Sequence, residues 1–358
     1  MSLQVIGFRS LAETNYCSKE VEVKGRWVVL VALLIGLVGI TGFGQEKGTV
    51  YYLAPNQFDE MQTTAAAAVE QFVEEAGYKC IVVVAGNEDV ALQINQLEDA
   101  MTQDPVAIIV AACNAEAIAP SLEMARAEGI PIIVYDRVVS GTYIDFTSVA
   151  GCKKIGILAA HEIVRLLTEK YDEPRGTVLD IMGDPGDMYT VLIEEGLQEV
   201  MADYPEIEIT TKVNYGWEAT TGANIAEDWL VAHPDTDLVF PHADHMAAAN
   251  TARFEMLGYK PGDILHVSTG GFPMGLELIR EGWLQSTINY PVVALARGAA
   301  IFLDQIIDRR CLKPGTYNVG GLESVLLYQD YGPELQLPPN AVTIENVDDP
   351  SLWGNQRK

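Results

Sequence analysis

The residues best suited to chemistry in this sequence are Asp136 and Arg137, which follow the apolar run 132–135 (IIVY). Such a run predicts a buried strand, and ligands of open parallel sheets bind just beyond the carboxyl ends of the strands. A carboxylate only accepts hydrogen bonds, whereas a guanidinium donates through five N–H groups in a planar fork. The pair therefore suits a ligand whose neighbouring hydroxyl groups both donate and accept. The alternative is a local ion pair without a ligand.

Polar and aromatic side chains also follow the other predicted strands. A closed site for a neutral polyol needs a polar partner for each hydroxyl, because an unpaired buried group costs about 1–3 kcal/mol. It also needs flat apolar faces that cover C–H surfaces. The residues that we predict to contact such a ligand are Asn56, Gln57, Phe58, Asn114, Asp136, Arg137, Tyr189, Trp217, Asp244 and Asn289. The alternatives are solvated loop side chains and, for Trp217, a core aromatic.

Motifs of the common enzyme classes are missing from the sequence. There is no G-x-S-x-G, no G-x-x-x-x-G-K-[ST], and no G-x-G-x-x-G after the first strand. The stretch 242–245 (HADH) could share a metal ion, but its place in a loop favours a solvated or capping role. The turn 183–187 (GDPGD) could hold calcium, although Gly, Pro and Asp form turns without it. We therefore predict a protein that is not an enzyme and that has neither cofactor nor metal.

The elements that must position these residues alternate between strand and helix. In the first half we predict strands at 50–53, 79–84, 107–111 and 130–135, with helices at 60–76, 89–103 and 116–128. The pattern restarts with a helix at 153–171 and strands at 177–182, 208–213, 238–240, 264–267 and 286–290, followed by a helix at 292–308. Continuous apolar strands between helices indicate parallel sheets covered on both faces. The prediction is an α/β fold with two doubly wound parallel-sheet lobes, joined near 147–152, with an irregular tail after 314.

Charge and cysteine content limit the possible partners. The net charge is −27, from 23 Lys and Arg against 50 Asp and Glu. A surface this acidic repels phosphate backbones, so we expect no nucleic-acid partner. The cysteines at 80, 113, 152 and 311 lack metal-like spacing, and a single disulfide in an oxidising compartment stays open.

Residues 1–44 differ in character from the rest of the chain. An uncharged apolar run at 27–43 follows Lys19, Lys24 and Arg26 and ends in small residues. This pattern predicts a secretory signal and export to the periplasm. The alternative is an uncleaved membrane anchor, because the run lies at the short limit for a bilayer span.

Several landmarks occur in a characteristic order. They are 56–58 (NQF), 135–137 (YDR) with 144–146 (IDF), 195–198 (EGLQ), 215–217 (YGW), 232–235 (AHPD) and 286–291 (STINYP). Over residues 48–329 the sequence thus resembles the periplasmic sugar-binding proteins of ABC importers, of the ribose- and xylose-binding type. The resemblance implies a type I periplasmic-binding-protein fold, a small neutral sugar or polyol as ligand, the importer's membrane permease as partner, and a monomer.

The resemblance also implies how the chain is divided. We expect an N-terminal lobe of 45–149 plus 290–322, and a C-terminal lobe and tail of 150–289 plus 323–358. The hinge would consist of crossings near 147–152, 289–291 and 320–323, and the lobes would close on the ligand. The alternative role is an anchored sugar sensor that presents its closed form to a chemotaxis or signalling receptor.

Three positions depart from the pattern of ribose-binding relatives. Ile193 lies at the position where ribose-type relatives carry an arginine shortly before a glycine. Ala243 replaces the first residue of their Asn-Asp pair, and Gly270 lies where they carry Phe-Asp-Gly. Three polar contacts would then be missing from the second lobe. We therefore expect weak binding of ribose and xylose, with Trp217, Tyr189 and Phe272 forming an aromatic surface for a less hydroxylated face.

Overall fold

The computed structural model describes residues 46–57, 60–139 and 141–356. The predictions for residues 1–44 and for Phe58 lie outside the described residues. In the part of the chain that is described, no helix is both long and apolar enough to cross a bilayer.

The first lobe consists of βα units. Its elements are β1 (Thr49–Ala54), α1 (Glu60–Glu75), β2 (Lys79–Val84), α2 (Val90–Met101), β3 (Ala107–Val110), α3 (Ala115–Ala127), β4 (Ile132–Tyr135) and β5 (Phe146–Ala150). Local signals set the helix ends. The Asp89 carboxylate accepts a hydrogen bond from the Leu92 N–H at 2.9 Å and caps α2. Gly77, just after α1, has the left-handed φ of 90° that favours glycine.

The second lobe repeats this plan. Its elements are α4 (Cys152–Tyr171), β6 (Gly176–Met182), α5 (Met188–Met201), β7 (Ile207–Val213), α6 (Ala219–Ala232), β8 (Leu238–Pro241), α7 (Asp244–Leu257), β9 (Leu265–Gly270), α8 (Pro273–Glu281) and β10 (Ser286–Asn289). A short 3-10 turn, Tyr215–Trp217, follows β7. The parallel strands β10, β9, β8, β6 and β7 lie side by side in that order. The predicted fold class, two parallel α/β lobes, is confirmed.

After β10 the chain returns to the first lobe. The returning elements are α9 (Val292–Ile301), α10 (Leu303–Ile307), β11 (Gly315–Val319), β12 (Leu322–Gln329), β13 (Gly332–Leu337) and β14 (Asn340–Val342). Helix α9 packs on α1 and β5, as the predicted return requires. A second 3-10 turn, Trp353–Asn355, ends the described chain.

The predicted irregular tail was wrong, because four strands form within it. Strands β11, β12 and β13 form an antiparallel meander, and β13 pairs in parallel with β5. The first sheet therefore has eight strands in the order β11-β12-β13-β5-β4-β3-β1-β2. Residues 323–337 thus extend the first sheet, which contradicts their predicted place in the C-terminal lobe. In the meander, alternate residues of β12 are buried. This two-residue period is difficult to recognise in the sequence of a short strand.

The chain passes between the sheets at three places. These are the β5–α4 junction, the β10–α9 junction and the link from β13 to β14 at 337–340. Strand β14 pairs antiparallel with β10 and so belongs to the second sheet. The third crossing therefore lies at 337–340 and not at the predicted 320–323, because β12 and β13 first complete the first sheet.

Candidate functional site

Asp136 lies at the carboxyl end of β4, where the chain turns sharply. Its φ of 69° is left-handed, a conformation that Asp tolerates better than most residues. The Asp136 N–H donates to the Ser148 carbonyl at 2.9 Å, and its buried carboxylate Oδ1 accepts from the Tyr290 hydroxyl. Burial raises the pKa of the Asp136 carboxyl to about 6, although Arg137 and the Tyr290 hydrogen bond counteract the rise. The Asp136 carboxylate is thus fixed in place by hydrogen bonds between the end of β4 and the β10–α9 crossing.

Arg137 pairs with Glu88, a residue that the sequence analysis did not single out. The Arg137 Nη2 and Nη1 atoms lie 2.7 and 3.2 Å from the two Glu88 carboxylate oxygens, and Nη1 also donates to the Ala112 carbonyl at 3.2 Å. The Asn56 Nδ2 atom donates to the same carboxylate at 2.9 Å. Burial would raise the pKa of Glu88, but Arg137 and Asn56 outweigh it and lower the pKa below its usual value. The guanidinium is therefore already neutralised and oriented.

An aromatic group from the second lobe faces these residues. The ring of Tyr189, in the first turn of α5, lies 6.0 Å from the Trp217 ring and 5.5 Å from the Tyr290 ring. Its hydroxyl is 2.8 Å from the Thr269 hydroxyl. Trp217 covers Gly183 so closely that a Cβ atom there would come within 2.1 Å of the indole. Because Tyr290 also bonds to Asp136, the aromatic group adjoins the polar residues of the first lobe.

Asp187 brings a second carboxylate to the same region. It caps α5 by accepting from the Tyr189 N–H at 2.9 Å. Burial raises the pKa of Asp187, and the Arg137 charge from the other lobe counteracts the rise. Asp187 in turn raises the pKa of Asp136. Among the described residues, the carboxylates of Glu88, Asp136 and Asp187 and the guanidinium of Arg137 therefore lie in this region.

Asp244, a further predicted ligand contact, is engaged by hydrogen-bond donors of the protein itself. It is fully buried, and Oδ1 accepts from the Ser268 hydroxyl and from the Thr287 hydroxyl at 2.7 Å, while Oδ2 accepts from the Phe272 N–H at 2.7 Å. Burial raises its pKa to about 6, against these hydrogen bonds and one from the Gly271 N–H. These contacts tie α7 to β9, β10 and the 271–272 loop, so the carboxylate shapes the second lobe.

The remaining predicted contacts occupy different surroundings. Asn289 ends β10, donates to the Asn340 amide oxygen at 3.0 Å, and has a buried Oδ1 that accepts no hydrogen bond among the described residues. Asn56 is buried beside Glu88, as described above. Asn114 is exposed and caps α3 by accepting from the Ala117 N–H at 2.9 Å, and Gln57 is exposed. The structure thus connects Asn56 with Arg137 through Glu88 and packs Tyr189 beside Trp217, whereas Gln57 and Asn114 are exposed.

The three residues that depart from the ribose-type pattern lie in different surroundings. Ile193 is fully buried, and its carbonyl oxygen packs against Gly156 of α4, where a Cβ atom would come within 2.0 Å of that oxygen. That register therefore faces the core of the lobe. Gly270 lies against the Phe272 ring, because a Cβ atom on Gly270 would come within 2.5 Å of Phe272 Cδ2. Ala243 is the buried N-cap residue of α7.

The 242–245 motif does not form one cluster. The His245 Nε2–H donates to the Trp217 carbonyl at 2.8 Å and so holds the 3-10 turn. Asp244 is used as described above, and His242 points to Asp180, 3.0 Å away. The three side chains therefore have separate roles.

Comparison with known proteins agrees with this architecture. The family described as "periplasmic binding protein domain" matches residues 50–310. A D-apiose import binding protein of Paraburkholderia graminis is 24% identical over 275 residues, covering 76% of this chain and 86% of the relative. The ribose import binding protein of Bacillus subtilis is 26% identical over 239 residues, covering 67% and 75%.

A solved structure shows the same fold. An ABC transporter solute-binding protein from Bacillus halodurans, with bound myo-inositol, superimposes with a TM-score of 0.73. It is 20% identical, and the match covers 87% of this chain and 99% of that one. Together with the two sheets and the site between them, these matches establish that the chain belongs to the periplasmic binding protein family, whose members bind solutes and are not enzymes.

Proposed function

We propose that this protein captures a small neutral sugar or polyol between its lobes in the periplasm and delivers it to the membrane permease of an ABC importer. The observation that carries the proposal is the contact of Asp136 with Tyr290, beside the Tyr189 and Trp217 rings. An acceptor for hydroxyl groups thus adjoins flat apolar surfaces, the combination that a sugar ring needs.

The charges of the cleft favour a neutral ligand. Arg137 is a cation of this region, and Glu88 already neutralises it through two hydrogen bonds. Asp136 and Asp187 add negative charge, so an anionic solute would be repelled. The three hydrogen bonds that Arg137 donates to Glu88 and Ala112 use three of its five N–H groups, which leaves donors, among the described residues, for a hydroxyl or a ring oxygen.

The second lobe supports a ligand with an unequal distribution of hydroxyl groups. Tyr189 and Trp217 present aromatic surface there, whereas the Asp244 carboxylate is engaged by protein donors. The buried Oδ1 of Asn289 is a further acceptor at the end of β10. A sugar or polyol with a deoxygenated or C–H-rich face would satisfy this arrangement better than ribose or xylose.

The relatives support the same class of ligand. Two are named for import of D-apiose and ribose, and the structural neighbour holds myo-inositol. Closure would follow the three crossings between the sheets, with the ligand bridging Asp136 of one lobe and Tyr189 of the other.

A thermal-shift screen of the purified protein against pentoses, hexoses and polyols tests the proposal. A ligand that binds only the folded protein raises its Tm. We expect a clear rise with at least one member of these classes, and Asp136→Asn should diminish it. Asp235→Asn is the matched control, because Asp235 is exposed in a turn of the second lobe. No rise with any neutral sugar or polyol, in protein that unfolds cooperatively, would contradict the proposal.

A further inference from the structure

Three metal-ligating side chains converge in the second lobe, beneath α5. They are Asp180 on β6, Glu194 on α5 and His242 directly after β8. One donor atom of each lies within 4.8 Å of the other two, and Asp180 Oδ1 is 3.0 Å from His242 Nε2. Because side chains alternate along a strand, Asp180 shares a sheet face with Val178, which packs in the same core cluster as residues of α5.

The cluster has few polar partners of its own. Asp180 and His242 are both fully buried. Apart from their mutual contact, the two Asp180 oxygens and both His242 ring nitrogens have no hydrogen-bond partner among the described residues. The Glu194 Oε2 atom is likewise buried without a partner, whereas Gln198 donates to Oε1 at 2.8 Å. Three potential metal ligands thus face one another, and no described residue outside the cluster forms a hydrogen bond to the side chains of Asp180 and His242 or to Glu194 Oε2.

This arrangement is electrostatically unfavourable without a cation. With both carboxylates ionised and the imidazole neutral, the cluster holds two negative charges in a buried place, where unpaired charge is costly. A divalent cation would neutralise both carboxylates and would satisfy the unpartnered atoms at once.

We propose that Asp180, Glu194 and His242 bind a divalent transition-metal ion of the Zn²⁺ class. Mixed imidazole and carboxylate ligands suit such ions, with bonds of about 2.0–2.2 Å. Two ligand atoms 3.0 Å apart can both reach an ion at that distance, and a tetrahedral site would widen them only to about 3.3 Å. Glu194 is partly exposed, so water can enter from its side and complete the coordination.

The ion would fasten α5 to the sheet. Asp180 lies on β6 and His242 directly after the adjacent strand β8, and Glu194 lies in α5, whose first turn contains Tyr189. A metal bridge would therefore fix the helix that carries the aromatic surface of the cleft. The site stands apart from the cleft, so its existence does not rest on the proposed sugar binding.

Metal content and binding of the purified protein test the site. The protein is prepared without a histidine tag, stripped with a chelator, and titrated with Zn²⁺ by calorimetry, with bound metal counted by mass spectrometry. We expect one equivalent of Zn²⁺ and a higher Tm on loading. Glu194→Gln keeps the size of the side chain at the exposed rim and should weaken Zn²⁺ binding at least tenfold, as should His242→Gln where it folds.

Glu195→Gln is the matched control, because Glu195 is the exposed neighbour on α5 and pairs with Lys153 at 2.7 Å. It should bind Zn²⁺ like the wild type. Absence of stoichiometric binding by the wild-type protein would overturn the proposal and favour a shared proton in the cluster. Equal affinity of the wild type and Glu194→Gln would overturn it as well. A titration with Co²⁺, whose visible spectrum reports tetrahedral coordination, provides a second readout that does not depend on any variant.

Discussion

Replacing Asp136 by Asn is the sharpest test of the cleft. Asn keeps the volume of the side chain and tolerates the left-handed φ of 69°, which would strain most other residues. Its amide oxygen can still accept from the Tyr290 hydroxyl, so the contact with the β10–α9 crossing persists. The substitution thus removes the charge while leaving the fold in place.

The magnitude follows from what changes on binding. The Tyr290 contact exists without ligand, so its weakening affects stability more than affinity. The ligand hydroxyls lose a hydrogen bond to a charged group, which contributes about 1.5–3 kcal/mol. One of them then meets the amide NH₂ group in place of an acceptor. We expect a loss of about 2 kcal/mol, which is about 30-fold in Kd.

Titration calorimetry at neutral pH, with the best sugar or polyol from the screen, measures this loss. Asp235→Asn should bind like the wild type, and the Tm of each ligand-free variant shows whether the fold is retained. If Asp136→Asn binds within about twofold of the wild type while its Tm is unchanged, the assignment of Asp136 as a ligand acceptor is wrong.

Four further predictions concern the same cleft. Ligand affinity should decrease as the pH falls through about 6, where Asp136 takes up a proton, and calorimetry of Asp136→Asn should show a flatter profile. The raised pKa of Asp136 also means that the folded protein binds this proton more tightly than the unfolded chain does. The contribution of Asp136 to the free energy of unfolding without ligand should therefore increase as the pH falls from about 6 towards 4, which urea unfolding measures. Glu88→Gln should weaken ligand binding about tenfold by releasing Arg137, whereas Asp89→Asn should alter only the cap of α2. Gly183→Ala should displace Trp217, since the new Cβ would lie 2.1 Å from its ring, and should reduce both affinity and any ligand-induced change of tryptophan fluorescence.

The core of the fold was predictable from local patterns. Strand β2 has the predicted bounds of 79–84, because its apolar run lies between a glycine cap and a polar loop. The tail was not predictable in the same way. Strand β13 pairs locally with β12, but its place in the first sheet depends on β5, almost two hundred residues earlier in the chain, and nothing in residues 332–337 alone indicates that partner.

The site was predictable in part, for a similar reason. Asp136 and Arg137 follow from the rule that parallel sheets bind ligands at strand ends. Glu88 follows β2 and Arg137 follows β4, and the strands β1 and β3 lie between these two in the sheet. The pair therefore depends on the order of the strands, which brings the two loops to the same edge. Asp244 looked available in sequence, yet its donors come from β9, β10 and the following loop.

Strand β14 protects the sheet as well as completing it. It covers the backbone of β10, which would otherwise be an open edge able to pair with a second molecule. Asn340 also holds the side chain of Asn289, and the Trp353 indole donates to the Gly270 carbonyl at 3.0 Å. Residues 340–355 therefore shield the edge of β10 from pairing with a second copy of the chain while the protein folds.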